Sequence, residues 1–399
     1  MTDRPVRNAL RSHLVQALRA SVATVALLLA SCGGDVDSGG TGSPVYASGT
    51  ITGFGSVIVG GVHFDDARAT VLDGDGTVRS RDDLRLGMTT EVRGSAVSTD
   101  GSGTSVSTAS SIAFSSDLLG RVGSIDAANA QLVVLGQTVD ITASTVFDDA
   151  SLSGGLAALS VGDIVEVYAL FDATTGRHAA TRIERKSTAV SDVLRGVVSQ
   201  LDPAARTFSI GSERISYAAF TGTPPAALTN GSVVRVRLNP VQVGGVWQVS
   251  ALADGVRRLP DQEAVRLEGL VTAFVSARQF NVDGVAVDAS ALTASGVALG
   301  VRVEVEGTAR AGVLVASEVS VKGGGGDDAG EFELRGVVAS PDPAHLSFVV
   351  RGVTIVYSLT ATEFRNGTAA GIVAGANVEA RGPLSPDGTR LLATRITFR

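Results

Sequence analysis

The sequence predicts an all-β protein, built as a tandem array of five small antiparallel β-barrels with an OB-like topology and five to six strands each. Three observations support this prediction. The composition combines 48 glycines with only 5% aromatic residues, and its many valines and threonines favour short strands and tight turns. Apolar and polar residues alternate with a period of two, which is typical of strands. One set of landmarks also recurs five times along the chain.

Each recurrence contains a glycine followed by an alternating strand. In "LGVRVEVEG", residues 299–307, Val303 and Val305 are predicted to face inward and Glu304 and Glu306 outward. The five anchoring glycines are spaced 75, 69, 69 and 75 residues apart: Gly87, Gly162, Gly231, Gly300 and Gly375. The predicted order within a unit is three strands, a short helix or turn, and two strands. That order is compatible with a five-stranded OB-like barrel.

The landmarks also give domain boundaries, and we name the five units repeats 1 to 5. The predicted segments are a signal peptide at 1–31, a flexible tether at 32–47, repeat 1 at 48–116, repeat 2 at 117–187, repeat 3 at 192–258, repeat 4 at 264–322, a Gly-rich linker at 323–331, and repeat 5 at 332–399. Each repeat is small and buries a modest core, so we expect each to be only marginally stable in isolation.

The first 32 residues have the pattern of a bacterial lipoprotein signal. Four arginines precede an apolar run at 21–30, which fits a signal-peptide core and is shorter than the ~20 residues of a spanning helix. The run ends in Leu29-Ala-Ser-Cys32, which resembles a lipobox. We therefore predict cleavage between Ser31 and Cys32 and lipidation of Cys32. Cys32 is the only cysteine and cannot form a disulfide within the chain.

This signal predicts an exported protein that is held in the cell envelope through the lipid on Cys32. Gly33 stands where an aspartate would retain such a lipoprotein in the inner membrane, so we expect the outer membrane of a Gram-negative bacterium. Several acyl chains on one cysteine would give stable anchoring. The sequence leaves open whether the protein faces the periplasm or the cell exterior.

The charge balance argues against nucleic acid as a partner. The chain has 33 basic and 40 acidic residues, and removing the four Arg and one Asp of residues 1–31 leaves 29 and 39, a net charge of −10. Phosphate backbones repel such a chain, which has no basic patch to oppose the repulsion. We expect an envelope protein or a polysaccharide as the partner.

One stretch of repeat 1 resembles a known family. "GTITGFGSVIVGGVHFD" at 49–65, followed by "LRLGMTTEVRG" at 84–94, is similar to the repeat of a bacterial family known as domain of unknown function 5666. Proteins that resemble it are often exported lipoproteins with several copies. The resemblance is clearest in repeat 1 and extends, with falling specificity, over most of the mature chain. It implies small β-barrel modules and no catalytic residues.

The glycines of this stretch raise the question of a phosphate-binding loop. A dinucleotide motif needs a third glycine where Ile58 stands and a helix after it. Residues 57–59, Val-Ile-Val, instead predict a strand. The glycines are therefore interpreted as a tight hairpin between the first two strands of repeat 1, where glycine permits unusual backbone angles.

Other residues were considered for metal binding and catalysis. Asp73-Gly-Asp-Gly-Thr77 suggests a calcium loop, but Leu84 replaces the bidentate glutamate, so a surface hairpin is the preferred interpretation. Weak calcium binding there or at Asp327-Asp328 stays open. The histidines beyond the signal fall in three different repeats: His63, His178 and His345. We expect no metal site, no cofactor and no enzymatic activity, because no repeat combines a nucleophile, a base and an orienting group.

Two functions remain from the sequence alone. The first is a membrane-anchored, non-enzymatic scaffold, structural or interacting, made of repeated barrels. The alternative is a module that binds glycans or divalent cations on the surfaces between barrels, as OB-like folds often bind extended ligands.

Overall fold

A computed structural model describes residues 43–226, 228–256, 259–322 and 331–399. The predicted signal peptide, Ser31, Cys32, most of the tether, and residues 323–330 of the linker lie outside the described residues. Residues Gly42–Arg399 form one compact unit.

The described part of the chain is all-β, with three short 3-10 helices, which confirms the all-β part of the predicted fold. Repeat 1 contains β1 Val45–Thr50, β2 Gly53–Phe54, β3 Val57–Val59, β4 Val62–Asp65, β5 Thr70–Leu72, β6 Val78–Arg79, the 3-10 helix Arg81–Asp83, β7 Thr89–Gly94, β8 Ser98–Thr99 and β9 Ser105–Phe114. Repeat 2 contains β10 Leu118–Asp126, β11 Gln131–Val134, β12 Gln137–Asp140, β13 Val146–Phe147, the 3-10 helix Gly155–Ala158, β14 Ile164–Asp172 and β15 Arg177–Lys186.

The remaining repeats have similar element orders. Repeat 3 contains β16 Asp192–Asp202, β17 Thr207–Ile210, β18 Glu213–Ser216, β19 Val233–Leu238 and β20 Trp247–Asp254. Repeat 4 contains β21 Gln262–Ser276, β22 Gln279–Val282, β23 Val285–Asp288, β24 Arg302–Arg310 and β25 Val313–Val321. Repeat 5 contains β26 Phe332–Val337, β27 Ala339–Asp342, β28 Ser347–Val350, β29 Val353–Val356, β30 Glu363–Arg365, the 3-10 helix Ala369–Gly371, β31 Asn377–Gly382, β32 Arg390–Leu392 and β33 Arg395–Phe398.

The strands of repeat 2 pair in a closed ring. β10 pairs with β11 and β11 with β12, both antiparallel, and β12 pairs with β15 in parallel. β15 then pairs with β14 and β14 with β10, both antiparallel. Repeats 3 and 4 pair their five strands in the same order. The result is a set of small barrel-like sheets.

The alternation read from the sequence places the core correctly. Val303 and Val305 of β24 are fully buried, as are Val165 and Val167 of β14. Burial of these side chains stabilises each barrel by roughly 1.5–3 kcal/mol per side chain relative to exposure. The short helix or turn predicted before the last two strands is, in repeat 2, the 3-10 helix Gly155–Ala158.

Strand pairing also joins different repeats. β1 pairs in parallel with β21 of repeat 4, and β2 pairs in parallel with β26 of repeat 5. β10 of repeat 2 pairs with β16 of repeat 3. The barrels are therefore hydrogen-bonded to one another within the unit, which the sequence did not reveal.

The glycines of repeat 1 have two structural roles. Gly55, with a φ of 137°, turns the hairpin between β2 and β3, which confirms the tight hairpin. Gly49 and Gly53 instead face neighbouring repeats. A Cβ on Gly49 would lie 2.6 Å from Oε2 of Glu268, and one on Gly53 would collide with the carbonyl oxygen of Glu333. These two glycines allow the strands of repeats 4 and 5 to approach β1 and β2.

Candidate functional site

Repeat 1 contacts each of the other four repeats. It pairs through strands with repeats 4 and 5. Arg182 of repeat 2 donates from Nη1 to the Leu86 carbonyl oxygen at 3.1 Å. Arg235 of repeat 3 lies 3.7 Å from the carboxylate of Asp75. Repeat 1 is thus the hub of the packed unit.

A buried polar node joins three repeats at this hub. Glu268 of repeat 4, whose side chain is only 6% exposed, accepts the backbone N–H of Thr50 at 3.0 Å and Nε–H of Arg302 at 2.7 Å. Arg302 also donates to the hydroxyl of Ser144 in repeat 2 at 3.2 Å. A buried carboxylate needs such partners to offset the cost of desolvation.

The Asp73–Thr77 hairpin, considered above for calcium, is held by arginines. The Asp73 carboxylate accepts the backbone N–H groups of Asp75 and Thr77 at 3.0 Å and pairs with Arg79. The Asp75 carboxylate pairs with Arg237 and lies 3.7 Å from Arg235. Both carboxylates are already neutralised, so the hairpin acts as a contact between repeats 1 and 3. Residues 327 and 328 lie outside the described residues.

The histidines do not converge. His63 lies 4.0 Å from Glu333, and the exposed His345 contacts Asp342 at 2.7 Å. His178 is fully buried. Within the part of the chain that the structure describes, no group of three or more His, Cys, Asp or Glu residues is placed to hold a metal ion.

His178 belongs to a buried cluster between repeats 2 and 3. Its Nδ1 lies 3.6 Å from the Asp117 carboxylate, and its ring centroid lies 4.6 Å from that of Phe171. Neither ring nitrogen forms a hydrogen bond within the described residues. Arg195 of repeat 3 pairs with Asp117 at 3.3 Å and stacks over Phe171. The cluster fastens the two repeats together and lines neither of the cavities described next.

A cavity of about 560 Å³ lies between repeats 1, 2 and 5, and we call it the 1–2–5 cavity. Repeat 1 contributes the segment 81–86, repeat 2 contributes 146–150 with Arg182 and Glu184, and repeat 5 contributes 351–353 with Leu384 and Thr389. Its volume falls within the range of ordinary ligand clefts.

One wall of the 1–2–5 cavity is an ion-pair network on repeat 2. Arg182 donates to Asp148 at 2.9 Å and to Glu184 at 2.5 Å, and Lys186 also pairs with Glu184 at 2.6 Å. Burial acts to raise the pKa of Glu184, but the charges of Arg182 and Lys186 lower it to about 2. The charged groups of this network are therefore paired with one another.

The opposite walls carry charged groups without ionic partners. Arg351 of repeat 5 stacks over the ring of Phe54 with its Cζ 5.3 Å from the centroid. Arg85 of repeat 1 donates to the backbone carbonyls of Asp82 and Leu84. Among the described residues, no carboxylate lies within ion-pair distance of either arginine, and the Asp82 carboxylate likewise has no partner.

A second cavity of about 410 Å³ lies between repeats 1, 2 and 3. Arg85 lines this cavity as well as the 1–2–5 cavity, but most of the other charged groups here are paired. Lys186 contacts Glu166 at 2.9 Å and Glu184 at 2.6 Å. Burial lowers the pKa of Lys186, but these two carboxylates outweigh burial and raise it. The electrostatics of this cavity resemble those of an interface between repeats.

Sequence reasoning did not find either cavity. The lining of the 1–2–5 cavity combines residues from 54 to 389, and no local motif marks such a combination. Within the described residues, no helix has both the length and the apolar character needed to cross a membrane.

The fold defines an all-β protein of repeated barrel-like sheets that pack around the first repeat. The family model "Domain of unknown function (DUF5666)" matches residues 120–184, 268–320 and 335–397, which confirms the resemblance to this family that the sequence indicated. The matched regions fall in repeats 2, 4 and 5, whereas we expected the clearest match in repeat 1. Repeat 1 differs by its short first hairpin and its added β5–β6 hairpin. No curated protein matches the chain.

Proposed function

We propose that this chain is an exported, lipid-anchored envelope protein whose five repeats are OB-like barrels arranged as a non-enzymatic scaffold. The five-strand ring of repeat 2 supports this topology, because an OB barrel is a small five-stranded Greek-key barrel. The parallel pairing of the third and fifth barrel strands recurs in all five repeats. The pairs are β4 with β9, β12 with β15, β18 with β20, β23 with β25 and β29 with β32.

The packing around repeat 1 is the observation that carries the scaffold proposal. Four repeats contact repeat 1, and the polar contacts at Glu268 and Asp75 hold repeats 4 and 3 in place. Such packing presents the outer surfaces of several barrels in fixed relative positions, which suits an interaction scaffold that binds an envelope protein or polysaccharide. Cross-linking in envelope fractions should recover that partner, and recovery of none would contradict the proposal.

The anchor is supported by the lipobox-like Leu29–Cys32 run and by the tether after it. Metabolic labelling with a clickable fatty acid should label the wild-type chain and leave Cys32→Ala unlabelled and released from membranes. Ser31→Ala is the matched control, since it keeps a small residue before the cysteine and should be labelled normally. Labelled, membrane-retained Cys32→Ala would refute the anchor.

The second candidate function is binding of a ligand between barrels. The 1–2–5 cavity favours a glycan over a divalent cation, because two of its groups without ionic partners are arginines. The carboxylates of Asp73 and Asp75, which lie outside this cavity, are already paired with arginines. Measuring the melting temperature during titration with oligosaccharides and with calcium tests both ligands. A rise with calcium alone would exclude the glycan preference.

A further inference from the structure

We propose that the 1–2–5 cavity is a binding site for a neutral, hydroxyl-rich oligosaccharide of a few sugar units, gripped by Arg85, Arg351 and Asp82. This inference rests on the glycan-binding candidate above and on the packing of the repeats, and it is independent of the lipid anchor. Its volume of about 560 Å³ suits a ligand larger than a single small metabolite.

The chemistry of the lining points to hydroxyl groups. A sugar hydroxyl both donates and accepts hydrogen bonds. Arg85 and Arg351 offer donors that no described carboxylate occupies, and Asp82 offers an acceptor without a described partner. The Asp149 carboxylate is a second acceptor. It accepts the Thr354 hydroxyl at 2.8 Å, and this hydrogen bond fixes its orientation.

The balance of charge selects a neutral ligand. Four arginines and four carboxylates line the cavity, so their formal charges cancel: Arg81, Arg85, Arg182 and Arg351 against Asp82, Asp148, Asp149 and Glu184. Arg85 and Arg351, which have no ionic partner among the described residues, share this cavity with the carboxylates of Asp82 and Asp149. An anion would be attracted by the arginines but repelled by these carboxylates, whereas a neutral polyol meets both kinds of group without a charge penalty.

The site is also preorganised. The guanidinium of Arg351 is stacked on Phe54, which limits the rotamer entropy lost when a ligand binds. Repeat 5 is fixed against repeat 2 by the N–H of Phe147, which donates to the Gly388 carbonyl oxygen at 2.9 Å.

The position within the barrel of repeat 5 agrees with ligand binding. Residues 351–353 form the turn between its second and third strands, and 384–389 lie in the loop between its fourth and fifth. OB barrels bind oligosaccharides with the second and third strands and with the loop between the fourth and fifth. The loop between the fourth and fifth strands, which OB barrels use for ligands, therefore opens into the 1–2–5 cavity together with the adjacent turn.

The test is calorimetric titration of the purified full-length chain with maltotriose, cellotriose and N-acetylchitotriose, with trigalacturonate and inorganic phosphate as anionic probes. We expect at least one neutral trisaccharide to bind. Arg351→Ala and Asp82→Asn should each weaken binding about tenfold or more, since a hydrogen bond to a charged group is lost. Both positions are exposed, so the variants should fold.

Arg214→Ala is the matched control, because Arg214 is also an exposed arginine next to the turn between the second and third strands, but in repeat 3. It should leave affinity unchanged. Binding of only the anionic probes, binding of none, or equal weakening by Arg214→Ala would overturn the inference. Hydrogen exchange of β1 and β21 on the same sample separates the two proposals. If β1 and β21 are protected and no trisaccharide binds, the site alone is refuted. If β1 and β21 are not protected, the packing of the repeats is refuted.

Discussion

Gly49→Ala is the substitution that probes the contact between repeats 1 and 4 most locally. Gly49 has no left-handed backbone angle, so alanine introduces no backbone strain. Its new Cβ would lie 2.6 Å from Oε2 and 2.9 Å from Cβ of Glu268. Glu268 must therefore move, although it holds the Thr50 N–H and Arg302.

The expected cost follows from these contacts. Forcing a methyl group into a packed interface costs about 1–3 kcal/mol, and losing the hydrogen bond from Thr50 adds about 1 kcal/mol. A total of about 2–4 kcal/mol corresponds to roughly 30- to 700-fold faster exchange of the amides that become exposed when this contact opens.

Hydrogen exchange with mass spectrometry is the assay, read on peptides that cover β1 and β21. Gly101→Ala is the control, because Gly101 is in the same repeat and a Cβ there meets nothing within 4 Å. Faster exchange in both strands for Gly49→Ala alone supports the contact. Unchanged protection in Gly49→Ala would refute the close approach of repeat 4 to repeat 1.

Three further predictions concern charges. The depressed pKa of Glu184, about 2 against 4.5, stabilises the fold by about 3 kcal/mol above pH 4.5, and this stabilisation is lost as the pH falls towards 2. Urea midpoints should therefore fall less between pH 4.5 and 2 for Glu184→Gln than for wild type, and an equal fall would contradict the network. Asp75→Asn should lower the urea midpoint by the equivalent of about 1 kcal/mol, since Arg235 and Arg237 lose a partly exposed partner; an unchanged midpoint would refute these contacts. Millimolar calcium should leave the melting temperature unchanged, and a rise of several degrees would show a calcium site.

The sequence predicted the strands well because their signal is local. Alternation placed Val303 and Val305 in the core, and both are fully buried. Gly55 was correctly interpreted as a hairpin turn. Each of these features depends on residues a few positions apart, so a period of two or one glycine is enough to indicate it.

The contacts between repeats could not be predicted in this way. From the alternation alone, Glu268 would be placed at an outward-facing, exposed position of its strand. In the structure it is buried against Thr50, 218 residues away. Gly53 reads as part of a hairpin, yet it also admits the Glu333 carbonyl. The 1–2–5 cavity depends on such contacts, and a single sequence holds no periodic or motif signal for them.

Small-angle X-ray scattering of residues 42–399 tests the central claim most directly, namely that the repeats pack into one unit around repeat 1. A compact unit of this length should have a radius of gyration of about 21 Å. Five separate barrels in a line would give about 40 Å by the same scaling. A value near 21 Å is the predicted result, and a value approaching 40 Å would contradict the packing on which the hub, the cavities and the proposed site depend.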